Sequence, residues 1–169
     1  GAHIDVAEID PALDGISRKY FGYTDLPNVT IHYEDGRTFI NRAHERYDLI
    51  IMDAFNSLTP PFHLTSQESA DRLRELLRDR GVVAINAPTD FYGKFLPSLQ
   101  KTYRSVFPHV TIHQTSQASL GSRQNFLIAA SNSRAAHTAA TTGLPKPITP
   151  PKQGLLLTDD YAPVERLSY

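Results

Sequence analysis

Apolar runs of strand length that alternate with helix-like segments predict an α/β fold with a mostly parallel sheet. Two features carry this expectation. The run YDLIIMDA at 47–54 is almost continuously hydrophobic, as in strands of parallel sheets covered on both faces. Helix-start signals also recur between the strand-like runs. At 169 residues the chain has the length of one domain and can bury a real core.

HIDVAEI at 3–9 reads as the first strand. Asp10 is a good N-cap, Pro11 suits a first helical turn, and Gly22 is placed to end that helix. Between them Leu13, Ile16, Tyr20 and Phe21 fall on one face. NVTIHYE at 28–34 is the second strand, followed by a turn and short helix in DGRTFINRA. After the third strand, YDLIIMDA, Thr65 and Glu68 have capping-box spacing. They open a helix through about Arg80, with Leu73, Leu76 and Leu77 inward and Gly81 closing it.

VVAINAP is a fourth strand, and YGKFLPSLQKTYRSVF a helix whose start Pro97 delays or bends. HVTIHQ and NFLIAAS, joined by a loop alone, read as an antiparallel pair at the sheet edge. Three regions follow: a strand–helix domain over 1–131, a flexible Pro/Ala/Thr-rich linker over 132–154, and a segment over 155–169 that packs back on the domain.

A formal net charge of −1 argues against nucleic-acid or anionic-membrane partners. No run of about 18 apolar residues is present, so no membrane span is expected, and the chain opens without a secretory signal. The absence of cysteine excludes disulfides and thiolate chemistry. Cytoplasmic localisation is the default expectation. The histidines show no metal-ligand spacing, and His109 and His113 sit too far apart along one strand face for an ordinary chelate. No metal site is expected.

Ligands of open α/β sheets bind beyond the carboxyl ends of the strands. Three strands here finish on an acid: Glu8, Asp35 and Asp53. Each suits a helix cap or a solvated turn; successive acids also suit one rim facing a ligand. Glu8 can accept hydrogen bonds from the two hydroxyls of a ribose. Asp35 precedes Gly36, which permits close backbone approach, and can accept from an exocyclic amine such as that of adenine. Asp53 stands before a connection of about a dozen residues containing Pro60 and Pro61, longer than an ordinary strand-to-helix turn. It is free to meet a second, cationic substrate.

The segments VAEIDPALDGISRKYFG, EDGRTFI, YDLIIMDAF, PFHLTSQE, GVVAINAP and LLTDDYAPVERL, in that order, resemble the spermidine/spermine synthase family over residues 1–131 and the final dozen. The resemblance implies an aminopropyltransferase on a Rossmann-like, methyltransferase-type sheet with helices on both faces. Its co-substrate is decarboxylated S-adenosylmethionine, with no tightly bound cofactor, and its acceptor a diamine such as putrescine. By position, Glu8 would hold the ribose, Asp35 and Gly36 the adenine end, and Asp53 the attacking amine. Asp160 and Tyr161 would present further polar groups to the polyamine, or form part of a docked C-terminal segment. The connection after Asp53 then reads as a Pro-stiffened lid. His63 within it is expected to be a packing residue, and Arg37 a helix-start or ion-pair residue. A homo-oligomer is also implied.

The pattern departs from the family in one respect: no Gly-x-Gly cluster follows any strand, so the family's first strand and Gly-rich loop have no counterpart. A fragment of a longer protein is the expectation, since a sheet lacking a central strand exposes unpaired backbone. Two further readings stay open: an S-adenosylmethionine-dependent methyltransferase, and a non-catalytic binding module of the same fold.

Overall fold

The computed structural model describes residues 1–55 and 60–167. They fall in two units, Gly1–Ala43 and His44–Tyr169. The first contains β1 (Ile4–Ala7), α1 (Ala12–Phe21), β2 (Val29–His32) and α2 (Gly36–Arg42). β1 and β2 pair in parallel, with Ile4 opposite Val29 and Ala7 opposite His32. α1 begins one residue later than expected, with Pro11 rather than Asp10 at the N-cap position, and the Asp10 Oδ1 still accepts from the Ala12 amide at 2.9 Å. Gly22 ends the helix at φ 68°, a left-handed conformation that glycine adopts without a Cβ penalty. The apolar stripe of α1 is not buried: Leu13 and Ile16 are each 43% exposed. Ile40 and Ala43 are the buried apolar residues of this unit.

The second unit contains β3 (Tyr47–Met52), a 3-10 turn at Phe62–Leu64, α3 (Gln67–Leu76), β4 (Leu77–Thr89), α4 (Phe95–Val106), β5 (His109–Gln114), β6 (Gln124–Ser131), α5 (Arg134–Thr141) and α6 (Val164–Leu167). Its sheet order is β3-β4-β6-β5. β3 and β4 are parallel, and β6 runs antiparallel to both its neighbours. Ile85, Ile128 and Ile112 lie opposite one another across three strands and are buried. Leu73 and Leu76 of α3 and Phe95, Leu96, Leu99 and Tyr103 of α4 are buried as well and complete the core. Among the described residues β1 pairs with β2 alone and β3 with β4 alone, so each unit keeps an open parallel edge.

Several elements differ from their sequence expectation. β3 is not covered on both faces, for Leu49 and Ile51 are 54% and 67% exposed; it is the edge strand of its sheet and has one ladder partner. α3 starts one residue late, capped by the Ser66 hydroxyl, which accepts from the Ser69 amide at 3.2 Å. Thr65 instead donates to the Phe62 carbonyl and closes the preceding turn. The helix also stops at Leu76 rather than near Arg80. Leu77 is already opposite Tyr47 in the sheet, and the β3–β4 register shifts before Leu49 meets Val82. Gly81 lies in that irregularity, where an added Cβ would come within 2.8 Å of the Tyr47 carbonyl oxygen. It permits close strand approach and does not cap the helix.

Residues 134–141, expected to be mobile, form α5. Ser133 caps it, accepting from the Ala136 amide, and alanine is the best intrinsic helix former. The stretch 154–159 lies along α3 and α4 in an extended course. The Leu155 and Leu157 amides donate to the hydroxyls of Ser98 and Thr102, one helical turn apart on α4, each at 2.9 Å. The Gln67 amide donates to the Leu157 carbonyl at 2.8 Å, and the Leu157 side chain is fully buried. Gly154 is needed here because a Cβ would fall 2.2 Å from the Pro97 backbone.

A histidine cluster ties α5 and the Pro145 segment to β5. His113 Nδ1 lies 2.7 Å from the Pro145 carbonyl, which can only accept, so that nitrogen carries a proton. In the neutral ring, Nε2 then accepts from the Thr111 hydroxyl at 2.8 Å. The Thr111 oxygen in turn accepts from His137 Nε2 at 3.0 Å. His137 Nδ1 is left bare, buried and without a hydrogen-bond partner among the described residues.

A second proton on His137 would therefore have no acceptor. Burial, with His109 and His113 nearby, holds its pKa below the ordinary histidine value. The folded chain binds fewer protons here than the unfolded one. The stabilisation is complete above about pH 6.5 and is lost as pH falls through the depressed folded value. Urea titrations of the chain should show stability dropping as pH falls below about 6.5. His137→Gln should flatten that drop; an unchanged pH slope in the variant would contradict the assignment.

Candidate functional site

In the first unit the carboxyl edge of the β1–β2 pair carries both predicted acids. The Glu8 amide continues the ladder one step beyond β1 by donating to the His32 carbonyl at 3.0 Å. The Glu8 side chain turns back and accepts from the Asp10 amide at 2.8 Å. Asp35 is the N-cap of α2, and its Oδ1 accepts from the Arg37 and Thr38 amides at 2.9 and 3.1 Å. Gly36 is the first residue of that helix. A carboxylate has about four lone-pair directions, so capping does not by itself exclude accepting from a ligand N–H or O–H. The cap and ligand readings of Asp35 are compatible.

Neighbouring charges are organised around these two. Arg42 pairs with Glu34 through Nε at 2.9 Å, and this bond chiefly holds the Glu34 carboxyl below the usual carboxylate range. His32 Nε2 meets the Asp5 carboxylate at 2.8 Å across the strand pair. The Arg42 and His32 side chains are thus engaged with acids of their own unit.

In the second unit Asp53 follows the last residue of β3 and is exposed. The register sets Met52 opposite Ile85, so Asp53 and Asn86 emerge side by side. Asn86 Nδ2 donates to Asp53 Oδ1 at 2.8 Å. Sequence reasoning missed Asn86. Its one signal was a polar residue within the apolar run of the fourth strand. Behind it lies a void of about 10 Å³, the size of one water, lined by Met52, Leu64, Ile85, Leu99 and Tyr103 among others.

Part of the expected lid, residues 56–59, lies outside the described residues. Pro60 is buried, and His63 sits in the 3-10 turn with its ring edge-on to Phe62. Asp160 is exposed. Tyr161 is 59% exposed and exchanges backbone hydrogen bonds with Thr158. It shares a cleft of about 310 Å³ with Lys94, Gln153 and Arg166, so this cleft is positively charged. The acid beside it in sequence, Asp159, is turned toward α3, where its carboxylate accepts from the Ser66 hydroxyl at 2.5 Å and its amide donates to Glu68. Among the described residues no group of three or more His, Cys, Asp or Glu is placed to hold a metal ion. Nor is any described helix long and apolar enough to cross a membrane.

Acids at the carboxyl ends of parallel strands stand where open α/β sheets bind their ligands. Comparison with known proteins narrows the class. The chain belongs to the spermine/spermidine synthase family: the Spermine/spermidine synthase domain matches residues 2–138. It is 37% identical over 109 residues to a polyamine aminopropyltransferase of Vibrio vulnificus, covering 63% of this chain and 36% of that protein. Among solved structures, a probable spermidine synthase from Corynebacterium glutamicum superposes with a TM-score of 0.69 at 23% identity, over 83% of this chain and 55% of that one. A spermidine synthase in complex with the transition-state analogue AdoDATO gives 0.67 at 18% identity, over 94% and 55%. These superpositions establish the fold. The chain spans about two-fifths or less of the length of the first curated relatives it matches.

The capping role of Asp35 can be tested by substitution. Asp35→Ala removes the cap and should lower stability by about 1 kcal/mol, whereas Asp35→Asn keeps a capping oxygen and should change it by a few tenths at most. Thermal unfolding of both variants checks this; equal losses would mean that the carboxylate stabilises α2 by its charge.

Proposed function

We propose that this chain carries out aminopropyl transfer from decarboxylated S-adenosylmethionine to a diamine such as putrescine, a step of polyamine biosynthesis. The observation that carries the reading is Asp53: an exposed carboxylate at the end of β3, held on one oxygen by a neutral amide. Family membership and the named activity of the Vibrio relative support it. Glu8 takes the ribose hydroxyls, Asp35 the adenine amino group with Gly36 beneath it, and Asp53 the attacking amine. Asp160 is a second acid for the distal ammonium. Tyr161 is the weaker candidate, because Lys94 and Arg166 in its cleft repel a polycation.

The chemistry suits such a set. The amine lone pair forms a bond to the propyl carbon attached to the sulfonium, and the carbon–sulfur bond breaks. Sulfur leaves with that electron pair as the neutral thioether 5′-methylthioadenosine, and no acid is needed to expel it. An alkylamine has a pKa near that of lysine, about 10.4, and is inert while protonated. A carboxylate beside it favours the charged form, so Asp53 acts by attracting and orienting the amine and receives the proton as attack proceeds. The co-substrate binds reversibly. The acceptor is a small molecule, and a homo-oligomeric, cytoplasmic enzyme is the working assembly.

Incubating the full-length protein with decarboxylated donor and putrescine should yield equal amounts of 5′-methylthioadenosine and aminopropylated product. Asp53→Asn should lower kcat by about 10²–10⁴-fold with the KM for the donor little changed. Methyl transfer from S-adenosylmethionine without any aminopropyl product would overturn the reading in favour of a methyltransferase. Absence of both turnover and 5′-methylthioadenosine binding would favour a non-catalytic module.

A further inference from the structure

We infer that Asn86 is the positioning residue for Asp53, fixing the carboxylate toward the incoming amine without neutralising it. The inference rests on the reading of Asp53 as the amine-facing acid. Asp53 has left the β3 ladder and begins the connection to the 3-10 turn, so its backbone is less constrained than that of a strand residue. Asn86 differs in this respect. It lies inside β4, opposite Leu127 of β6 in the register that continues to Gln124 opposite Thr89. On its other side β4 is paired with β3 up to Met52 opposite Ile85. The amide is therefore presented from a position that β6 still holds, one residue past the last β3 pair, and its hydrogen bond of 2.8 Å transfers that rigidity to Asp53.

The type of donor matters as much as its place. Asn86 engages one oxygen, Oδ1, and among the described residues no other hydrogen bond reaches the Asp53 carboxylate. An arginine or lysine at position 86 would pair with the carboxylate and repel an ammonium. An aspartate would compete for the same cation and oppose ionisation of its neighbour. A neutral amide orients one oxygen and leaves the negative charge for the substrate. Oriented attack within a fixed geometry is where such a residue acts on rate.

The experiment compares wild-type full-length protein with Asn86→Leu and Asn86→Asp, measuring folding by thermal melting, kcat, KM for each substrate, and the pH dependence of kcat/KM. Asn86→Leu keeps the side-chain size and removes the amide. It should reduce kcat about tenfold and raise KM for the diamine severalfold, while KM for the nucleoside donor stays unchanged. Asn86→Asp sets a like charge in place of the neutral donor, and it should move the acidic limb of the pH profile upward by about one unit because Asp53 is the group that titrates there. If Asn86→Leu fails to fold, Asn86→Asp measured above its acidic limb decides: a kcat about tenfold below wild type with the donor KM unchanged supports positioning, and a wild-type kcat overturns it. A folded Asn86→Leu protein with wild-type kcat and diamine KM overturns the inference while leaving aminopropyl transfer intact. A wild-type protein that transfers no aminopropyl group overturns the functional reading, and this inference with it.

Discussion

The parallel register between β3 and β4 is the constraint on which the second unit's site depends. Met52 opposite Ile85 brings the next residue of each strand, Asp53 and Asn86, to the same carboxyl end at hydrogen-bonding distance. A slip of one residue would send one of the two to the opposite face of the sheet. β4 resists such a slip because Val83, Ile85 and Ala87 are buried and pair with Ala130, Ile128 and Phe126 of β6. The geometry is thus secured by buried hydrophobic pairs that flank the polar residue they place, Ile85 and Ala87 on either side of Asn86.

The same unit fastens its later segments with polar groups set on regular elements. Ser98 and Thr102 of α4 serve the backbone of 155–157 in place of a ladder partner. Ser66 and Glu68 at the start of α3 hold Asp159. On β5, Thr111 relays between His113 and His137 and so joins α5 to the sheet. Each bond is modest by itself, about 1 kcal/mol. Their common effect is to give the described C-terminal residues a defined course, with Leu157 and Val164 as buried anchors.

Much of this was legible in the sequence, for identifiable reasons. Apolar runs of strand length located the six strands of the described residues, and the bare loop between 114 and 124 revealed the antiparallel β5–β6 pair. Gly22 was read correctly because a helix end that needs positive φ leaves glycine as a local mark. Gly81 misled, since a glycine required for close strand approach looks the same in sequence as a helix stop. α5 was missed because an Ala- and Thr-rich stretch matches a linker in composition, and the contact that anchors it, Thr111 to His137, spans 26 residues. The strand-end acids were visible as a set. Asn86 was not, because its role arises from inter-strand register, which no local motif encodes.

The central claim is that Asp53 receives the acceptor amine while Asn86 holds it. A crystal structure of the full-length protein with 5′-methylthioadenosine and putrescine tests this most directly. The account requires a putrescine nitrogen within about 3 Å of Asp53, with the Asn86–Asp53 hydrogen bond retained and the nucleoside ribose on Glu8. Putrescine bound away from Asp53, or an Asp53 side chain turned from Asn86 in the complex, would contradict it.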